Sequence, residues 1–206
     1  MLPLFYQDSF EISLEATRTM IHAGIKVLEY TNRGERSLDN FIRLKDAIKT
    51  EFPDFILGIG TVKTIDEALE FTEAGADFIV SPIVDPEVGK YVADKGLLWI
   101  PGAMTPSEIA MAQKTSRSTI IKIFPANIVG RGFIEAVKDI FPGQLFMPTG
   151  GVDLTFENIS AWFNAGVCAV GLGSKLISKK ILQNGDYKSL YENTKLGLTL
   201  IERARP

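Results

Sequence analysis

The strongest constraint on this chain is a repeated alternation of short apolar runs with amphipathic stretches. The apolar runs are Leu2–Tyr6, Lys26–Thr31, Ile56–Val62, Asp77–Ser81, Leu97–Pro101, Thr119–Phe124, Gln144–Pro148 and Cys168–Leu172. They are short, rich in β-branched residues and bounded by Gly, Pro and Asp, and so read as strands. Helical periodicity fills the intervals at 9–23, 37–51, 64–74, 86–95, 106–114, 131–141, 155–164 and 175–181, with a terminal helix at 186–203. Ala23-Gly24, Ala74-Gly75 and Ala165-Gly166 each stand just before a strand. Glycine is favoured there because the residue that terminates a helix adopts positive φ. Connections this long are crossovers, and crossovers imply parallel pairing.

Eight βα units find their natural solution in a (β/α)8 barrel; an open doubly wound sheet is the alternative. The whole span 1–206 reads as one α/β domain, without linker or low-complexity tract.

In a barrel of this kind the chemistry collects at the carboxyl ends of the strands, and the unusual residues lie there. Lys122 sits in Thr119-Ile120-Ile121-Lys122-Ile123-Phe124-Pro125, a single charge in an apolar strand. Burying an ammonium without compensation costs several kcal/mol. Desolvation instead favours the uncharged amine, a nucleophile suited to imine chemistry. A lysine snorkelling to solvent or paired with a carboxylate would satisfy the same pattern. Glu29 interrupts the second strand near its end, where it could orient the lysine or shuttle its protons. Arg33 follows four residues on, and an ion pair with Glu29 is the plain structural alternative.

The third strand ends Gly58-Ile59-Gly60-Thr61. Two glycines at i and i+2 leave one face bare to a ligand or a neighbouring backbone, and Thr61 offers a hydroxyl at the rim. Prolines at Pro82, Pro101, Pro125 and Pro148 close four strand ends, stopping the ladder and stiffening an apolar rim. The last two strands run into Thr149-Gly150-Gly151 and Gly171-Leu172-Gly173-Ser174, the latter leading straight into a helix. Glycine turns and helix amino ends favour anions, so these two loops form a candidate phosphate cradle.

Several classes of function find no support. Net charge is −3 with no cluster of Lys and Arg, which argues against nucleic acid. No apolar run is long enough to cross a bilayer, and the first residues lack the marks of a signal peptide, so a cytoplasmic setting is expected. Cys168 is the only cysteine and reads as a small buried hydrophobe; His22 is the only histidine and reads as a surface residue. No disulfide, zinc site or other metal or cofactor site is implied. Arg131, in Gly130-Arg131-Gly132, reads as a solvated loop residue.

Taken in order, Val27-Leu28-Glu29, Gly60-Thr61-Val62, Ser81-Pro82, Ile100-Pro101-Gly102, Lys122-Ile123-Phe124-Pro125-Ala126, Pro148-Thr149-Gly150-Gly151-Val152 and Gly171-Leu172-Gly173-Ser174 resemble the family of 2-keto-3-deoxy-6-phosphogluconate (KDPG) and 4-hydroxy-2-oxoglutarate (KHG) aldolases. The resemblance implies a class I aldolase, a trimer of (β/α)8 barrels, acting on a 2-keto acid. It implies Lys122 as Schiff-base lysine and Glu29 as acid/base, with Arg33 and Thr61 on the substrate carboxylate. Pro82, Phe124 and Thr149 would line the pocket, and Gly150, Gly151, Gly173 and Ser174 would hold a distal phosphate. The chain departs from the family pattern on either side of Arg33, with Asn32 where many members carry leucine and Gly34 where many carry threonine, and at Ile83, where glycine is common after the proline. It also starts almost at the first strand, where most members first have a helix, so the floor of the barrel is expected to be less covered. The residues by themselves leave two other readings open. One is a phosphate-binding isomerase or epimerase using Lys122 and Glu29 as plain acid and base; the other is a sugar-phosphate sensor without turnover.

Overall fold

The computed structural model describes residues 1–205. Its elements, in order, are β1 (Leu2–Phe5), α1 (Phe10–His22), β2 (Val27–Thr31), α2 (Ser37–Glu51), β3 (Ile56–Gly60), α3 (Ile65–Glu73), β4 (Phe78–Val80), α4 (Pro86–Asp94) and β5 (Leu98–Ile100). Then come β6 (Gly102–Ala103), α5 (Pro106–Ser116), β7 (Ile120–Ile123), α6 (Ala126–Val137), β8 (Leu145–Pro148), α7 (Phe156–Ala165), β9 (Gly171–Leu172), α8 (Lys179–Asn184) and α9 (Tyr187–Ala204). All strand pairs are parallel, in the orders β5-β4-β3-β2-β1-β9 and β6-β7-β8. The result is an α/β fold with a curled parallel sheet and helices packed on its outer face.

The helices begin where short polar side chains can satisfy the first free N–H groups. Ser9, Thr64, Thr105, Thr155 and Ser178 each accept from the backbone N–H three residues on. Thr105 and Glu108 complete a reciprocal capping box. At the other ends Gly24, Gly75 and Gly166 all have positive φ, as the Ala-Gly punctuation requires.

Alternation along the strands separates two cores. Leu28 and Tyr30 of β2 face the helices with Leu57, Ile59, Ile79, Trp99, Ile121 and Phe146. Leu2, Phe78, Val80, Ile100 and Met147 form a smaller cluster on the inner face. The phenol of buried Tyr30 donates to the Gln7 carbonyl at 2.8 Å, and Asn40 donates to the Gln7 and Asp8 carbonyls at 3.1 and 3.0 Å. These bonds hold the outer face of β2, and so determine which of its residues point inward. A cavity of about 520 Å³ opens at the amino ends of the strands, lined by Leu2, Val27, Ile56, Leu98 and Ile120 among others.

Three boundaries differ clearly from expectation. The fifth strand does not end at Pro101: the ladder resumes as β6, and the Pro101 carbonyl accepts from the Lys122 N–H at 2.8 Å. A proline removes one donor but keeps its carbonyl, so Pro101 interrupts pairing without stopping it. Pro148 does close β8, as expected. Helix α6 starts at Ala126 rather than 131, because Ile128 N–H bonds to the Pro125 carbonyl directly after the strand; Gly130 then kinks it at φ 74°. The helix expected at 175–181 runs instead over Lys179–Asn184, set by the Ser178 cap and by Gly185 at φ 61°.

Candidate active site

Lys122 and Glu29 meet on the inner face. Lys122 is 3% exposed and Glu29 fully buried, with Nζ 3.6 Å from Oε1. The β7 strand places Lys122 level with Gly102 on one side and Met147 on the other. On β2, Glu29 is level with Leu4 and Gly58. The amine also stands 5.3 Å from the centre of the Phe124 ring, whose face favours a cation. Neither carboxylate oxygen of Glu29 takes a hydrogen bond from a protein group.

The two glycines of β3 are bare for reasons other than the approach of a ligand. A methyl group at Gly60 would overlap the Glu29 carboxylate, lying 2.5 Å from Cδ and 2.7 Å from Cγ. One at Gly58 would run into the Phe78 ring, 2.5 Å from Cδ1. The space is occupied by this chain's own side chains. The same device serves Thr149, whose Oγ1 and Cβ lie over Gly171. The Thr149 hydroxyl is buried and takes no protein partner.

At the carboxyl ends of the strands, Thr61 has φ 64°, in the left-handed region. Such a conformation is an outlier for a β-branched residue and stores strain of order 1–3 kcal/mol, which tends to collect at functional sites. Arg33 is exposed in the loop after β2, and among the described residues it forms no ion pair. The Glu29–Arg33 bridge that the sequence allowed is thus absent; the carboxylate faces Lys122. Pro82 is half-buried after β4, and Ile83 beside it is 46% exposed.

The glycine loops are arranged differently from each other. Gly150 and Gly151 both have positive φ, 91° and 73°, and pack against Asn127 in the first turn of α6. Gly173 and Ser174 do not lead into a helix. Leu176 and Ile177 both donate to the Gly173 carbonyl at 2.9 Å, making a single turn that ends before Ser178. An ion pair at 3.0 Å between Lys175 and Asp153 ties this loop to the one after β8.

Two residues at the site escaped the sequence reading. Thr31 is fully buried with an unpartnered hydroxyl, and its signal was a position two residues from Glu29 on the same face. Asn127 packs against Gly150 because α6 starts early, at Ala126, on a short-range contact whose weight the sequence did not reveal. The remaining polar candidates are structural. Burial pushes the Cys168 thiol above its ordinary range, and its Sγ donates to the Phe146 carbonyl at 3.4 Å. His22 is exposed and stands edge-on to Phe52. The Arg131 guanidinium lies 5.9 Å from the Trp162 ring centre. Among the described residues no three His, Cys, Asp or Glu side chains gather to hold a metal ion, and no helix is long and apolar enough to cross a membrane.

Known proteins resemble this chain over almost its whole length. Residues 1–192 match the family model described as KDPG and KHG aldolase. A 2-dehydro-3-deoxy-phosphogluconate aldolase of Treponema pallidum is 30% identical over 192 residues, covering 92% of this chain and 88% of its own. The KHG/KDPG aldolase of Escherichia coli K12 is 31% identical over 206 residues, covering 100% and 92%. Among solved structures, KDPG aldolase from Legionella pneumophila superposes with a TM-score of 0.84 at 26% identity, covering 94% of this chain and 91% of its own. It was solved with pyruvate captured at low pH as a covalent carbinolamine intermediate. A buried lysine facing a buried carboxylate, and similarity that spans the chain, lead to one assignment: this protein belongs to the KDPG and KHG aldolase family.

Proposed function

We propose that this chain is a class I aldolase that cleaves a 2-keto-3-deoxy acid through an imine on Lys122. Its substrate is 2-dehydro-3-deoxy-6-phosphogluconate, giving pyruvate and glyceraldehyde 3-phosphate, and/or 4-hydroxy-2-oxoglutarate, giving pyruvate and glyoxylate. The observation that carries this reading is the buried pair itself, Lys122 Nζ 3.6 Å from a Glu29 carboxylate with no other protein partner. A purely structural lysine would reach solvent or close a tight, fully bonded pair.

The amine of Lys122 adds to the C2 ketone, and loss of water from the carbinolamine gives a cationic imine. Glu29 takes the proton of the C4 hydroxyl while the C3–C4 bond breaks. The electron pair of that bond flows into the imine, leaving an enamine of pyruvate and the free aldehyde. Protonation at C3 and hydrolysis then release pyruvate and restore the amine. Arg33 and Thr61 hold the carboxylate end, and Pro82, Phe124 and Thr149 bound the pocket. Gly150, Gly151, Gly173 and Ser174 take the distal phosphate; the positive φ of the first two and the tie between the loops support that placement.

The same reading makes the fold a closed (β/α)8 barrel in one domain over 1–206. The continuity of β5 and β6 across Pro101 and an isolated bridge between Thr149 and Gly171 support closure. It also places the protein in the cytoplasm as a homotrimer. Ile83, Met104 and Ile128, exposed after β4, β6 and β7, offer apolar surface for such contacts.

Borohydride added with pyruvate should trap a covalent adduct on Lys122, and Lys122→Ala should lose both trapping and turnover. EDTA should leave cleavage of KDPG unchanged. Turnover without any trapped adduct would instead favour an isomerase or epimerase using the same two groups as acid and base. EDTA-sensitive cleavage would point to a metal-dependent aldolase.

A further inference from the structure

We infer that Thr31 is a positioning residue for proton transfer, orienting the water through which Glu29 exchanges protons with substrate. This rests on the aldolase reading above and adds a residue to it. Thr31 lies two residues beyond Glu29 on β2, so both side chains point inward. It stands level with Gly60, the position whose missing side chain makes room for the Glu29 carboxylate. The Glu29 carboxylate therefore extends from its own rung toward Gly60, the residue paired with Thr31. Both residues are fully buried, and neither Thr31 Oγ1 nor either Glu29 oxygen has a hydrogen-bond partner in the protein.

Buried polar groups are nearly always satisfied, and those left over in a fold call for a specific explanation. A valine would fill the volume of Thr31 without a stranded hydroxyl. The Lys122 amine is 3.6 Å from Glu29, too far for a normal direct hydrogen bond. A buried water needs two to four polar partners, and this part of the inner face supplies a carboxylate acceptor and a hydroxyl donor, with the amine 3.6 Å from the carboxylate.

The donors and acceptors available to such a water set the direction of transfer. The water gives one proton to Glu29 and accepts the Thr31 O–H on one lone pair. Its other lone pair is left to accept the proton of the substrate C4 hydroxyl. One proton enters the water as one leaves, so the relay balances, and it runs in reverse when the enamine is protonated at C3. Without the Thr31 donor the water loses that fixed orientation, although Lys122 still forms its imine.

The test compares Thr31→Val and Thr31→Ser with the unaltered full chain, using KDPG cleavage and borohydride trapping of pyruvate. In Thr31→Val, trapping should persist and KM should stay within about threefold, while kcat falls about 10- to 100-fold, the range for losing a hydrogen bond tied to a charged group. The acidic limb of its kcat–pH profile should also shift. Thr31→Ser should recover both kcat and the profile. A Thr31→Val enzyme of normal kcat overturns the inference. So does a Thr31→Ser enzyme as slow as Thr31→Val, which would make the role one of packing, or an effect confined to KM or to trapping. If Thr31→Val does not fold, Thr31→Ala removes the same hydroxyl and is judged by the same outcomes. Failure of the unaltered protein to trap pyruvate would strike the aldolase reading itself, a result separate from any difference among the variants.

Discussion

Replacing Gly60 by alanine should impair catalysis while sparing stability, and the reason can be read from the geometry. The added methyl would lie 2.5 Å from Glu29 Cδ and 2.7 Å from Cγ, far inside van der Waals contact. Relief comes from rotation of the Glu29 side chain, the flexible partner, so the backbone need not move. The carboxylate then leaves its place opposite Lys122 by roughly an ångström, a displacement of the kind that can cost about 100-fold in rate. The matched control is Gly58→Ala, whose methyl would lie 2.5 Å from Phe78 Cδ1. That ring is 4% exposed and packed in the inner apolar cluster. Overpacking of this kind costs about 1–3 kcal/mol. At about 2–4 °C per kcal/mol for a chain of this size, Tm should fall by roughly 2–12 °C. Steady-state cleavage well below Tm, together with thermal unfolding, separates the two substitutions. Gly60→Ala should show a kcat loss of about 100-fold with a small change in Tm, and Gly58→Ala the reverse. A Gly60→Ala enzyme with normal kcat, or one losing Tm and activity in the same proportion as Gly58→Ala, would refute the idea that Gly60 exists to seat the carboxylate.

Two further substitutions test the rim. Thr61→Gly relieves the strain at φ 64°; despite the greater freedom of unfolded glycine, stability should rise by about 0.5–1 kcal/mol, read by chemical denaturation. KM for the keto acid should rise in the same variant, and a fall in stability would show that Thr61 is not strained for function. Ser174→Asp places a like charge beside the proposed phosphate, so KM for KDPG should rise more than about tenfold, with KHG changed less than about threefold. Equal effects on the two substrates would remove the case for a phosphate site there.

Most of the architecture was legible from local pattern. The periodicity of α2 located it at residues 37–51, and Ala-Gly pairs marked three helix ends, because capping and periodicity depend on neighbours a few residues apart. The boundaries that moved did so for contacts of the same short range whose weight was hard to judge, such as the Pro125 carbonyl starting α6 and Ser178 resetting α8. Lys122 announced itself because a lone charge in an apolar strand has few physical explanations.

What lay beyond the sequence was the meeting of parts. Glycines at 58 and 60 suggested open space, yet only the packed sheet revealed that Phe78 and Glu29 fill it from neighbouring strands. The choice of Lys122 over Arg33 as the partner of Glu29, and the isolation of the Thr31 and Thr149 hydroxyls, depend on register between strands far apart in the chain. Residue order by itself determined the alternating elements and the oddity of a buried lysine, since both are written in local composition. Tertiary structure alone decided which carboxylate faces that lysine, because parallel pairing brings together side chains that no local pattern can relate.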